Sequence, residues 1–356
     1  MSKRLEKLHR GINLGNWLSQ NGRASLDEME KKITKKDLEQ IASWGFDHLR
    51  LPVDYFTFES DDAPGVYDER GLKLIDNCLS WCEELNMSMI LDLHHAPGFT
   101  FTNGNQNIWA TGEKNDLFSD PKKQERFINI WRMFAKRYLS HGRTLIFELM
   151  NELLAESTDP WNELWQKTVK AIREIDADRT IVIGGNQNNE CNQLCNLALC
   201  DDPGVVYTFH FYEPGFFTHQ HAPFVSYLKD YPLQVTYPFT KDQHSAFFDA
   251  FDAMGMVPPV YRREVFDKDF IKDDMAPAKE FMEKTGKELF CGEFGVYGAC
   301  DIESSKNWFR DVISCFDELG VPYTVWNYIG FSHITQDDNF HEADSTEIID
   351  ILTGRK

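Results

Sequence analysis

The chain has 356 residues, 42% of them hydrophobic and 13% aromatic, enough apolar surface for one large core. With 37 basic against 57 acidic residues the formal charge is −20, which repels the phosphates of nucleic acid and the headgroups of anionic lipid and points to a neutral partner. No apolar run approaches the length of a bilayer span and the opening MSKRLEKLHRG has no hydrophobic signal region, so the sequence as written reads as cytoplasmic, or as secreted if an export signal has been removed.

Eight short apolar runs punctuate the chain: RGINLG (10–15), DHLRLP (47–52), SMILDLH (88–94), TLIFELMNE (144–152), TIVIGG (180–185), VVYTFHFY (205–212), ELFCGEF (288–294) and YTVWNY (323–328). Amphipathic stretches lie between them. Leu72, Ile75, Leu79 and Cys82 fall on one helical face, and SSKNWFRDVISCFDELGVP ends in the stop signal of Gly320 and Pro322. Eight strand-then-helix units with right-handed crossovers close most simply as a (β/α)8 barrel, a TIM barrel of the α/β class, with residues 1–356 as a single catalytic domain and a monomer expected. One segment breaks the rhythm. Residues 213–274, after the sixth strand, contain 13 Phe or Tyr, too many for a solvated linker, and predict a small helical subdomain inserted in the barrel.

The eight cysteines are too sparse for a secreted disulfide scaffold and read as reduced thiols. Cys78 with Cys82 and Cys191 with Cys195 stand four apart, but no second pair of Cys or His lies nearby, so neither a metal nor any other cofactor is expected.

Alternation along the fourth strand puts Ile146, Glu148, Met150 and Glu152 on one face. The last of these lies at the C-terminal rim, where barrels of this kind carry their chemistry, so Glu152 is the functional candidate and Glu148 the structural one. Other strands end comparably, in Arg50, His94, His210 with Tyr212, Glu293 and Trp326. Two carboxylates, a cation, hydroxyl and imidazole groups and a flat ring are what glycosidic cleavage requires: an acid for the leaving oxygen, an anion for the oxocarbenium-like centre and a face on which a sugar stacks. Two readings from other classes stand beside it. A metal-dependent barrel hydrolase would use His94, His95 and His210 as ligands, but the first strand has no His-x-His pair and no Asp closes the eighth. A non-catalytic glycan-binding barrel would have no need of both Glu152 and Glu293.

The stretches RGINLGNWL, GFDHLRLPVDY, ILDLHHAPG, FELMNEL, HFYEP, CGEFGVYG and VWNY together resemble glycoside hydrolase family 5, in the right order and over nearly the whole chain. The likeness is greatest to the bacterial endo-β-1,4-glucanases of that family that carry an insertion after strand six. It implies a retaining enzyme acting on a β-glucan, with Glu152 as general acid/base and Glu293 as nucleophile. It also implies Arg50 and Tyr212 beside that nucleophile, Asn151 on the 2-hydroxyl of the reacting sugar, His94 and His210 around it and Trp326 beneath its ring. Asn16, Trp17, His95 and Trp109 are candidate subsite residues. Leu153 stands where many relatives have proline. HHAPGFTFTNGNQN is similar also to the exo-β-1,3-glucanases of the family, so the sequence leaves β-1,3-glucan, and β-mannan, open as substrates.

Overall fold

A computed structural model describes residues 3–22, 24–100, 115–253, 259–336 and 341–355. Eight parallel strands close into a barrel: β1 Arg10–Asn13, β2 His48–Asp54, β3 Ser88–His95, β4 Leu145–Glu148, β5 Thr180–Gly184, β6 Val205–Phe211, β7 Leu289–Phe294 and β8 Tyr323–Val325, with β8 pairing back onto β1. Every strand predicted from the sequence is present, and the (β/α)8 barrel is the fold. Helices form where the pattern placed them, and their ends are capped by side chains that satisfy otherwise orphaned amides. Asp68 accepts from Arg70 N at the start of Glu69–Glu84, Asp120 caps Pro121–Arg137, and Asp301 caps Ile302–Leu319, which stops at Gly320 in the left-handed conformation at φ 68°. The predicted face of Leu72, Ile75, Leu79 and Cys82 is buried.

Between strands and helices lies a core that includes fully buried Trp131, Trp161, Trp165 and Trp308. A second, separate cluster fills the barrel's lower interior: Ile90, Ile146, Val182, Val206 and Phe290 from the strands, joined by Leu5 and Leu8 from the N-terminal segment. That segment is held across the strands' N-terminal ends. Glu288, just ahead of β7, accepts from the amides of Arg4 and Leu5, and the Arg4 guanidinium donates to Asp178 and to the carbonyl of Pro203. The floor is therefore closed by apolar side chains, with the Arg4 and Glu288 contacts at its outer edge.

Five strands stop earlier than the apolar pattern does, β5 and β6 by a single residue and three by more. β4 was expected to run to 152 but ends at Glu148; β1 and β8 end at Asn13 and Val325. Beyond β4 the amides of the departing chain divide between neighbours, Leu149 N donating to Val182 O of β5 and Asn151 N to Leu93 O of β3. Register shifts also occur near the upper ends of the β2/β3, β6/β7 and β7/β8 pairs. Leaving the ladder releases successive side chains from strict alternation.

Residues 213–274 form short helices, Gly215–Thr218, Ser245–Ala253 and Lys268–Asp274, with an antiparallel strand pair, Phe239–Thr240 and Val265–Phe266, that no periodicity announces. Many of the segment's aromatics pack on one another: Phe216 stacks on Phe247 at 3.8 Å and Phe239 on Phe266 at 4.6 Å between ring centroids. The segment is anchored to the barrel by Trp308 Nε1, which donates to Glu213 O.

Truncating the floor tests the role of the N-terminal segment. Leu8→Ala removes buried methyl groups with little scope for collapse, and is expected to cost about 2–4 kcal/mol. Urea unfolding should show the lowered midpoint while kcat is unchanged, because the substitution lies at the end of the barrel opposite the rim that carries Glu152 and Glu293.

Candidate active site

Arg50 rises from β2 into the upper barrel and is 0% exposed. Its five N–H donors make five hydrogen bonds: Nε and Nη2 to the two oxygens of Glu148 (2.7 and 2.9 Å), Nη1 to Glu293 Oε1 (2.7 Å) and Asn13 Oδ1 (3.1 Å), and Nη2 to Asn151 Oδ1 (2.9 Å). Asp92 Oδ2 lies 3.1 Å from Nη2 as well. Asn13 is fixed in turn by donating to the carbonyls of Gly292, Thr324 and Val325. Burial pushes Asp92 and Glu148 each up to about 7, against the pull of the Arg50 charge.

Above this layer stand the two glutamates. Glu293 Oε1 accepts from Arg50 and Oε2 from the Tyr212 hydroxyl (2.9 Å). Glu152 Oε1 faces His210 Nδ1 at 2.8 Å, and His210 Nδ1 lies 3.6 Å from Glu293 Oε2. One oxygen of Glu152 and one of Glu293 come within 4.8 Å of each other. Burial raises both carboxyl groups. Glu293 rises to about 7, held there by Arg50 and by the Tyr212 hydrogen bond; Glu152, with burial reinforced by the Glu293 charge, rises well above the carboxylate range. Between the two titrations Glu293 is ionised and Glu152 protonated. Burial also lowers His210 and His94 well below the usual imidazole value, so both rings are neutral, and keeps the Tyr212 hydroxyl protonated.

Of the other residues expected from the sequence, Asn151 has its carbonyl oxygen taken by Arg50, which turns the amide nitrogen toward His94 Nε2 at 3.4 Å. His94 bonds Asp92 through Nδ1 and stacks parallel on Trp326, centroids 5.7 Å apart. His95 bonds Asp54 at 2.5 Å. Asn16 ties the loop after β1 to Ile329 O. Trp17 is a correction: it is 1% exposed, its indole N–H donates to Met29 O, and its ring belongs to the hydrophobic core, so it offers no surface to a ligand. Trp109 lies outside the described residues. The histidines of the metal-centre reading do not converge, since His94, His95 and His210 face different carboxylates; the group that does, Glu152, His210 and Glu293, already has both Glu293 oxygens engaged by N–H and O–H donors.

Adjacent Asn151 and Glu152 both reach the site, which strand alternation forbids; the early end of β4 permits it. Sequence reasoning missed Asn13, Asp54, Asp92 and Asn189. The first three are strand polar residues within apolar runs, a signal open to notice. Asn189 ends the run Asn-Gln-Asn-Asn after β5 and puts its Nδ2 3.3 Å from His210 Nε2.

Residues 13–332 match the profile of the family described as cellulase (glycosyl hydrolase family 5). The chain belongs to that family. It is 42% identical to Endoglucanase C of Acetivibrio thermocellus over 97% of this chain and 98% of that one, and 31% identical to Cellodextrinase A of Ruminococcus flavefaciens over 88% and 83%. A crystal structure of a glycoside hydrolase superposes with a TM-score of 0.77 at 27% identity, covering 98% of this chain and 99% of its own. The family 5 member described here is thus a glycoside hydrolase on a (β/α)8 barrel.

The hydrogen bond from Tyr212 lowers the pKa of Glu293, so Tyr212→Phe should raise it. If activity requires ionised Glu293, the acidic limb of kcat/KM moves to higher pH, by roughly one pH unit, because a hydrogen bond to a charged group contributes about 1.5 kcal/mol and a pKa unit corresponds to about 1.4 kcal/mol. A pH–rate profile of the variant measures the shift.

Proposed function

We propose that this hydrolase is a retaining endo-β-1,4-glucanase, acting on cellulose-type or mixed-linkage β-glucans by double displacement, with Glu293 as nucleophile and Glu152 as general acid/base. The observation that carries the mechanism is the approach of the two carboxylates: one oxygen of each lies within 4.8 Å of the other, which favours the close pair of retaining enzymes, about 5–5.5 Å apart, over the about 6.5–9.5 Å of inverting ones. The linkage and the endo mode rest on the 42% identity to a protein named as an endoglucanase.

In the first step an ionised Glu293 oxygen attacks the anomeric carbon while Glu152 gives its proton to the glycosidic oxygen. The bond to the departing sugar breaks and a glycosyl ester forms. In the second step Glu152, now a carboxylate, takes a proton from water as the water oxygen attacks the same carbon, and Glu293 leaves with its charge restored. Arg50 and Tyr212 offset the Glu293 charge at the start and end, and by holding it by both oxygens aim it at one point. The Asn151 amide nitrogen, turned toward His94 by the Arg50 bond, has a second N–H that suits a sugar hydroxyl, and Trp326, stacked on His94, is the aromatic surface beside it.

Azide distinguishes the roles. With an activated aryl glycoside, Glu293→Ala should yield the inverted α-glycosyl azide, because the anion enters on the vacated nucleophile face. Glu152→Ala should accumulate the glycosyl ester and yield the retained β-glycosyl azide. The reverse pattern would exchange the two assignments. For the substrate, cellohexaose and mixed-linkage β-glucan should be cut internally, with the new reducing end first appearing as the β-anomer by NMR. Glucose released stepwise from laminarin in preference to both would replace the reading with an exo-β-1,3-glucanase.

A further inference from the structure

Strand β5 leaves the barrel through a turn of uncommon shape. Gln187, Asn188 and Asn189 have φ of 49°, 58° and 60°, three successive non-glycine residues in the left-handed region. Asn visits that region more readily than most residues, which fits a run of Asn-Gln-Asn-Asn, but a triplet persists only where surrounding contacts over-determine it. Those contacts lie on the segment that follows Glu152. Asn186 Oδ1 accepts from Ala155 N (3.0 Å), Asn186 Nδ2 donates to Ala155 O (2.9 Å), and Asn188 N donates to Leu153 O (2.9 Å). The turn therefore grips the backbone beside the acid/base and delivers Asn189, fully buried, beneath the ring that touches it.

At that ring a proton is at stake. A neutral imidazole has one N–H and one lone pair, and the partner of one nitrogen decides which is which. His210 Nε2 faces Asn189 Nδ2 at 3.3 Å, and Nδ1 faces Glu152 Oε1 at 2.8 Å. Asn189 Oδ1 has no hydrogen-bond partner; it rests against Gly184, where an added Cβ would come within 2.3 Å of it, so the absence of a side chain at 184 makes this placement of the amide sterically feasible. With an amide N–H directed at Nε2, the lone pair is on Nε2 and the hydrogen on Nδ1. His210 then donates to Glu152 Oε1, and the acid's own proton is carried by Oε2, available to the glycosidic oxygen. The opposite tautomer would present a lone pair to Glu152, and the acid's proton would point at the histidine instead of the leaving group.

We propose that Asn189 is a positioning residue that selects the Nδ1–H tautomer of His210 and so keeps the proton of Glu152 aimed at the leaving group. It rests on Glu152 being the acid. Histidine-selective 15N labelling reads the tautomer directly, with the His210 signals identified by their loss in His210→Asn. In the unmodified enzyme Nδ1 should have the protonated, pyrrole-type shift and Nε2 the pyridine-type shift; in Asn189→Leu, near-isosteric but without the amide, the two shifts should converge. The same variant should lose kcat/KM on cellohexaose on the order of tenfold, a part of the ~10²–10⁴-fold that proton transfer contributes. On a dinitrophenyl cellobioside, whose leaving group needs no acid, it should lose far less. An Nε2–H tautomer in the unmodified enzyme, a tautomer unmoved in Asn189→Leu, or equal losses on both substrates would overturn the proposal. Glu152→Gln measured in parallel separates the causes: if it too lacks the leaving-group dependence, the acid assignment falls and takes the proposal with it; if it shows the dependence, only the role of Asn189 falls.

Discussion

A guanidinium removed from water must have its charge and all its donors answered by protein, and Arg50 meets that requirement by joining five strands or their ends. Glu148 of β4 takes two donors side by side, Asn13 of β1 and Asn151 beyond β4 take one each, and Glu293 of β7 takes the last, with Asp92 of β3 close by. Coulomb attraction alone would not make such a cluster favourable, because burying the ions costs several kcal/mol each; the geometry has to be complete. A lysine, with one compact ammonium, could not hold Glu148 by both oxygens and reach Glu293 together. The second glutamate of β4 thus has its explanation: Glu148 fixes the cation that fixes Glu293.

The same cluster separates two carboxylates that share one largely buried pocket. Left alone, burial and mutual repulsion would raise both. Glu293 has a cation on one oxygen and a phenol on the other, whereas Glu152 has a neutral ring. The difference in donors, not in depth, sets which glutamate holds the proton. The asymmetry is made from hydrogen-bond inventory, with Arg50 held in turn by Glu148 and His210 by Asn189.

That layering explains what could be read from the sequence. The barrel was legible because eight apolar runs of strand length alternate with helical faces, and the strand-end residues Arg50, His94, His210 and Glu293 follow from where those runs stop. Asn151 and Glu152 were legible as residues but not as geometry: alternation places them on opposite faces, and only the departure of β4 from its ladder turns both inward. Trp17 was a candidate subsite residue, but Met29 O and the core claim it. Asn13 was marked only as a polar residue in an apolar run, and Asn189 acts through a group distant in the chain, so no local pattern marks it. The two-residue strands of the insertion are too short to have a period.

The N-terminal segment gives the barrel two ends of opposite character. Leu5 and Leu8 close the floor, and Arg4 crosses the gaps between strands at the face turned away from the glutamates. Anything tethered ahead of Arg4, whether a flexible linker, a carbohydrate-binding module or a solid support, would leave from the blind side of the molecule. The cleft would then face outward from whatever surface holds the enzyme, and an anchored molecule would stay open to a long chain approaching from solution.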